Sequence, residues 1–417
     1  MVLDGLNAVK YPEKRVMYLA SEIPALSATF VYKEILRFEK IICPVEVVSI
    51  RQPESPADVE IQERFENRVT FLYESSLGKR LLSVMKMLFR RPLNFLKATQ
   101  SFFFDLMSVG VITRNALGLG FRFTHAALLG LEMERRKVDH LHVHFAHVPA
   151  DIAMYASLMT SIPFSVTGHA NDIFERGWLL KQKVKRAKFF STISEFNKRA
   201  LEAKGCDSSN IEIVRCGIDQ DDFEYHAPVV KENEVIRIGS LGRLVPKKGF
   251  QTLIEACELL EANSKGFVLE IGGDGPLMEE LQSQVGQSDI AARVRFLGAM
   301  VHSDVSSWMR SLDIFALACC EDKNGDVDGI PVVLMEAMAL GIPVVTTAIS
   351  GLPELVVDES TGLISEQRDA KGLFQNLVRL SQDNNLRRQL SANAVEHIEE
   401  EFSLQANVAK LGDLISS

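Results

Sequence analysis

The run Gly242-Arg243-Leu244-Val245-Pro246-Lys247-Lys248-Gly249 places three cations and two glycines within eight residues. Glycine lets a backbone approach a ligand closely, and a helix expected from about Gly249 turns its partly positive end toward the same loop. A diphosphate would satisfy all of these parts at once, whereas a solvated basic turn would account for the charge alone. The order G-x-x-x-x-G-K-[ST] is missing, so the loop is not a P-loop.

A second run, Asp328-Gly329-Ile330-Pro331-Val332-Val333-Leu334-Met335-Glu336, joins a turn to a helix. Gly329 frees the turn, Pro331 suits a helix start, and the first turn of that helix offers unpaired backbone N–H groups. Glu336 is the only charge from Gly329 to Thr347. A carboxylate in so apolar a run needs donors, because an unpaired buried charge is costly. Sugar hydroxyls would serve, and so would a structural hydrogen bond.

In the N-terminal half, Thr167-Gly168-His169-Ala170-Asn171-Asp172 follows a strand pattern, where a loop carrying chemistry is expected. His140, His142, His144 and His147 raise the question of zinc. Strand alternation puts the first three on one face, but no acidic ligand stands beside them in sequence. No metal site is assigned, and His144 is read as a cleft residue.

These groups need a scaffold. Strand patterns at 15–20, 44–50, 140–145, 163–167, 189–191 and 211–215 alternate with helical stretches, and 77–131 is helical by its three- and four-residue apolar steps. After an acidic, polar stretch at 217–234, strands at 235–240, 267–271, 294–297, 314–318, 343–346 and 362–364 again alternate with helices. Such alternation implies parallel sheets and right-handed crossovers. The fold class is therefore α/β, with two Rossmann-like, doubly wound domains facing one another. Ligands of such sheets lie outside the carboxyl ends of the strands, which points to an interdomain cleft. The expected division is 1–225, 226–395 and a last segment, 396–417, that packs back on the first domain.

With 417 residues, 47% hydrophobic and 24% charged, the chain has material for two or three cores. A net charge of −9 disfavours a nucleic-acid partner. None of the six cysteines forms a C-x-x-C pair. Met1 to Lys14 mixes acids and bases unlike a signal peptide, and no apolar run is long enough to span a bilayer. A cytoplasmic location is expected.

Taken jointly, the motifs resemble the family-4 retaining glycosyltransferases of the GT-B fold. Gly242, Arg243, Lys248 and Gly249 match the family's G-R-x4-K-G; Glu336-Ala337-Met338-Ala339 with Gly341, Pro343, Val344 and Val345 matches its acidic helix and following strand. Gly272-Gly273-Asp274-Gly275-Pro276 and Gly351-Leu352-Pro353-Glu354 match further segments. The first acid of the family's E-x7-E is here Asp328, one methylene shorter. The resemblance implies a hexosyl transfer from a nucleoside diphosphate sugar, carrying uridine or guanosine, to a hydroxyl with retained anomeric configuration and no metal or other cofactor. His169, Arg243, Lys248 and Glu336 would be catalytic. Gly242, Asp328, Gly329, Ile330, Val332 and Val333 would bind the donor, and Ser27, Thr29, His144 and Asp172 would lie on the acceptor side. The details of these motifs are most similar to bacterial exopolysaccharide and colanic-acid-type transferases, which implies a saccharide or lipid-linked saccharide acceptor. Two other readings share the motifs: a sugar-nucleotide epimerase, and a non-catalytic nucleotide-sugar-binding or membrane-assembly protein.

One segment stands apart in charge. From Lys79 to Lys97 there are six cations, and no acid lies between Ser75 and Phe104. Leucine, methionine and phenylalanine are interleaved, so the segment reads as a peripheral contact with an anionic membrane leaflet.

Overall fold

A computed structural model of the chain describes residues 10–25, 28–55, 57–110, 113–228, 235–261 and 266–417. In chain order the first part comprises β1 (Val16–Glu22), α1 (Thr29–Ile41), β2 (Val45–Arg51), α2 (Val59–Phe65), β3 (Val69–Phe71), α3 (Leu77–Arg90), α4 (Pro92–Val109), α5 (Arg114–Arg135), β4 (His140–His144), α6 (Val148–Thr160), β5 (Phe164–Gly168), α7 (Ala170–Phe174), α8 (Leu180–Arg186), β6 (Phe190–Thr192), α9 (Glu195–Ala203) and β7 (Ile211–Ile213). There follow β8 (Ile236–Leu241), α10 (Phe250–Glu261), β9 (Phe267–Gly272), α11 (Met278–Gly286), β10 (Val294–Gly298), α12 (His302–Met309), β11 (Ile314–Ala316), α13 (Val332–Ala339), β12 (Val344–Thr347), α14 (Leu352–Leu355), β13 (Leu363–Ser365), α15 (Ala370–Gln382), α16 (Asn384–Glu401) and α17 (Leu404–Ser416).

The chain forms two compact units. One holds the described residues up to Ile193, Asn197–Val214 and Gln405–Ser417; the other holds Ser194–Phe196 and Arg215–Leu404. The main division thus falls at 214/215, ahead of the acidic stretch expected to contain it, and α16 stays with the second unit. Residues 217–228 pack as part of that unit: Ile218 N donates to Phe402 O, and Leu404 N donates to Ile218 O. The last helix, α17, belongs to the first unit, where Lys188 Nζ donates to the carbonyl of Ile415 at 3.0 Å.

Among the described residues, each unit has a single parallel sheet, in the order β3-β2-β1-β4-β5-β6-β7 and β10-β9-β8-β11-β12-β13. In both, the order reverses beside the first strand of the unit. β1 pairs with β2 (Val16↔Val45) and β4 (Val16↔His140), and β8 pairs with β9 (Ile238↔Leu269) and β11 (Ile314↔Ile238). Parallel strands covered by helices on both faces are buried along their length, as β5 is throughout and β1 from Val16 to Ala20. The two cores centre on Leu19, Val143, Ala153 and Phe190, and on Ile238, Phe250, Leu269 and Val345. The crevice outside the carboxyl ends of the strands at such a reversal is where ligands of these sheets bind. In the second unit that position is occupied by the loops after β8 and β11. In the first it is occupied by the ends of β1 and β4, with the loop after β5 alongside.

Among the described residues, no helix is long and apolar enough to cross a membrane.

Candidate functional site

In the second unit, β8 ends at Leu241 and the chain turns through Gly242 to a short 3-10 turn, Pro246–Lys248. Two glycines make this shape possible. Gly249 has φ +66° and lies where a Cβ would stand 1.7 Å from the Ala318 carbonyl, and Gly273 has φ +119° with a Cβ position 1.9 Å from the Gly242 carbonyl. Both conformations are strained for residues with a side chain. The glycine-rich turn after β9 therefore lies directly on the cation loop, with Leu244 N donating to Asp274 O.

The loop brings Lys248 to Asp328, with Nζ 2.6 Å from Oδ2, while Lys247 lies 2.9 Å from Asp326 and 3.5 Å from Asp328. The Lys248 and Asp328 side chains are only 14% and 15% exposed. Burial pushes the Asp328 carboxyl up, but the two lysines outweigh it and hold it below the usual range. The Cys319 thiol points at Asp328 Oδ2, and burial keeps it protonated. Two lysines and two aspartates thus balance one another, and Asp328 is their shared counterion. Lys247 and Asp326 were not singled out in the sequence, since their pairing depends on loops about eighty residues apart. Arg243 is exposed next to Gly242, which sits against the Lys248 stem. Among the described residues its guanidinium makes no ion pair.

Gly329 is half-buried and Ile330 buried in the turn before α13; Val332 and Val333 form its half-buried first turn. Pro331 occupies the position just before the helix. Glu336 follows one turn later on the same helix and is 8% exposed.

In the first unit, four distant segments meet at the ends of β1, β4 and β5. His144 Nδ1 lies 3.4 Å from His169 Nε2, and His144 Nε2 lies 3.0 Å from Glu34 Oε1, which also accepts the Tyr18 hydroxyl at 3.0 Å. Burial favours a protonated Glu34, yet His144, His142 and the Tyr18 hydroxyl outweigh it, and the carboxyl is held low. Burial also pushes His169 well below the ordinary imidazole range, so its ring is neutral near pH 7. An ionised Glu34 only accepts. His144 Nε2 therefore donates to it.

Asp172 holds the loop from beneath. Its Oδ2 accepts the N–H groups of Ala146 (2.9 Å) and His169 (3.0 Å), and burial pushes its carboxyl up to about 6 against those donors. The fully buried Lys183 braces the neighbouring turn by donating to the carbonyls of Ala146 (2.5 Å) and Trp178 (3.0 Å), with Asp151 2.8 Å away. His144 and Asp172, expected on the acceptor side, are both buried. Both contact His169, His144 through its ring and Asp172 through the His169 N–H. Thr29 opens α1 and is half-buried; Ser27 lies outside the described residues.

The histidine strand also differs from its sequence reading in one respect. An acid does stand beside it: Glu34, His142 and His144 each bring one ligand atom within 4.8 Å of the others. His142 bonds Ser165 Oγ (2.8 Å) and Thr167 Oγ1 (3.1 Å), and His140 bonds Ser165 Oγ (2.7 Å). Glu34 is 110 residues from His144 in the chain, so only the fold could reveal the set.

A pocket of about 290 Å³ opens beside this network, lined in part by Glu22, Arg51, Tyr73, Phe145, His147 and Arg176. It offers charged groups and two aromatic rings, a suitable lining for a polar ligand with apolar faces.

Residues 221–397 match the family described as glycosyl transferases group 1, and residues 106–222 match glycosyltransferase family 4. Together these two glycosyltransferase matches span residues 106–397. The putative colanic acid biosynthesis glycosyltransferase WcaL of Escherichia coli K12 is 33% identical over 57% of this chain and 58% of its own length. The amylovoran biosynthesis glycosyltransferase AmsK of Erwinia amylovora is 34% identical over 51% of this chain and 54% of its own. The chain thus spans little more than half the length of these curated relatives. Among solved structures, HepE of Anabaena in complex with UDP-glucose has a TM-score of 0.69 at 15% identity, covering 96% of this chain and 99% of its own. That likeness shows the two-domain GT-B fold.

Proposed function

We propose that the protein transfers a hexosyl group from a nucleoside diphosphate sugar to a hydroxyl of a saccharide or lipid-linked saccharide, in the synthesis of a surface polysaccharide. The observation that carries this reading is the cation loop at the strand reversal of the second unit. There Arg243 stands exposed beside a lysine pair whose charge is balanced by aspartates. A diphosphate at that loop meets one cation that has no ion pair among the described residues and two that can exchange a carboxylate for a phosphate. Their attraction grows as the bond from the sugar C1 to the diphosphate oxygen breaks and charge collects on the leaving group.

In this reading Glu336 holds the ribose hydroxyls. Gly242, Gly329, Ile330, Val332 and Val333 border the phosphates and sugar, the last two through the N–H groups of the α13 first turn. Asp328 serves as counterion in the resting protein and turns to a hydroxyl of the transferred sugar when phosphate takes its place on Lys248. His169 contacts the donor sugar, held by His144, Glu34 and Asp172. The acceptor hydroxyl bonds to C1, and its proton leaves with the departing diphosphate. The anomeric configuration is proposed to be retained, as in the family. The cations are proposed to make a divalent metal unnecessary, so turnover should persist in chelator. The working location is proposed to be the cytoplasmic side of the membrane.

Titration of the full chain with UDP and GDP, followed by Arg243→Gln, tests the donor assignment. The variant should bind the preferred nucleotide at least tenfold more weakly with an unchanged melting temperature, because the Arg243 guanidinium makes no ion pair among the described residues. Equal affinity in the variant would remove Arg243 from the site.

A further inference from the structure

Helices α3, α4 and α5 of the first unit expose an unusual set of side chains. In a helix packed on a sheet, the apolar stripe faces inward. In α3 only Ser83 and Met87 are buried. Leu77, Leu81, Met85 and Leu88, spaced four, four and three residues apart, form a row that is exposed, and Phe89 is 75% exposed. The pattern continues through α4, where Leu93, Leu96, Phe103, Phe104 and Met107 are exposed, and into α5, where Leu117 is 81% exposed. Isolated exposed leucines are ordinary, but a run of this kind over three packed helices is not.

The charges around the run are of one sign. Lys79, Lys86 and Lys97 are exposed and make no ion pair among the described residues. Asp105 is the one acid between residues 75 and 131 and is buried against Arg186 and the Tyr155 hydroxyl; Glu74 and Glu134, which flank the run, accept from Gln52 and Arg91. Apolar side chains of lipid-inserting size, ringed by unpaired lysines, match the two layers of an anionic membrane: acyl chains below and phosphate headgroups above.

The structure assigns this α3–α5 face as the surface by which the protein docks on an anionic bilayer. The assignment extends well beyond residues 79–97, since Phe103, Phe104, Met107 and Leu117 lie outside that segment. It also connects to the pocket already described. Phe121 of α5 is 42% exposed at the border of the face and stacks edge-on with Tyr73 of the pocket wall, ring centroids 5.1 Å apart. A saccharide carried on a membrane lipid would thus arrive beside the pocket, with its lipid still in the bilayer. The docking itself does not depend on the glycosyl-transfer reading.

Co-sedimentation of the full chain with vesicles of phosphatidylcholine, with and without 30–40% phosphatidylglycerol, tests the assignment. Two variants are informative, Phe89→Ser/Leu93→Ser/Met107→Ser and Lys79→Gln/Lys86→Gln/Lys97→Gln, all at exposed positions, with circular dichroism melting as the folding control. The wild type should pellet with the anionic vesicles, and each triple variant should bind them at least about tenfold more weakly. The lysine variant should also lose most of its dependence on salt. Wild-type protein that stays in the supernatant would overturn the assignment, as would variants that pellet like the wild type. So would light scattering that shows the serine variant converting a dimer to a monomer while the wild type ignores vesicles.

Discussion

Replacing Lys248 by methionine keeps most of the stem and removes the charge that Asp328 faces at 2.6 Å. Removing one member of a buried ion pair costs about 3–5 kcal/mol, because the other charge is stranded out of water. Two features reduce that figure here. Lys247 Nζ remains 3.5 Å from the other carboxylate oxygen, and both side chains keep some contact with solvent. A loss of about 2–3 kcal/mol is therefore expected, which lowers the melting temperature of a domain of this size by about 5–10 °C. Neutralising the stranded acid should reverse much of this. Lys248→Met/Asp328→Asn should melt above the single variant, with a coupling of about 2 kcal/mol in the double-mutant cycle. Differential scanning calorimetry and urea denaturation, both without nucleotide, read the effect apart from donor binding. A single variant that melts like the wild type, or a double variant no more stable than the single, would refute the claim that Asp328 is the resting counterion of Lys248.

Two further expectations concern the first unit. Glu34→Leu strands the Tyr18 hydroxyl and His144 Nε2 in the interior, at about 1–3 kcal/mol for each; urea unfolding should show that loss, and a stability equal to the wild type would show the carboxylate to be dispensable. Asp172 has its carboxyl raised to about 6 from an ordinary 3.8. The folded state therefore holds that proton more tightly than the unfolded chain, so the contribution is full below pH 3.8 and is lost as pH rises through 6. Asp172→Asn does not titrate, and its amide oxygen can still accept the N–H groups of Ala146 and His169. The difference in stability between the two proteins, measured from pH 4 to 7, should change by up to about 3 kcal/mol; parallel profiles would show that Asp172 is not raised.

Much of this molecule is local in origin, and that part is legible in its sequence. Buried parallel strands are short segments rich in apolar and β-branched residues between turn signals, so β1, β4, β5, β8, β9 and β12 stand out, and the helices between them follow from their three- and four-residue steps. The glycines of the cation loop and of the turn after β9 likewise signal a backbone that must approach something closely, as Gly249 and Gly273 do. What the sequence could not show is which side chains meet across the ends of different strands. Strand order decides that, through hydrogen bonds between segments far apart in the chain. It puts Glu34 and Tyr18 on His144, Asp328 on Lys248, and Lys183 under the turn at Ala146. Orientation was decided in the same way: the apolar steps of α3 predict a helix equally well whether its stripe faces in or out. Only the packing of α3 through Ser83 and Met87 turned the leucines toward solvent.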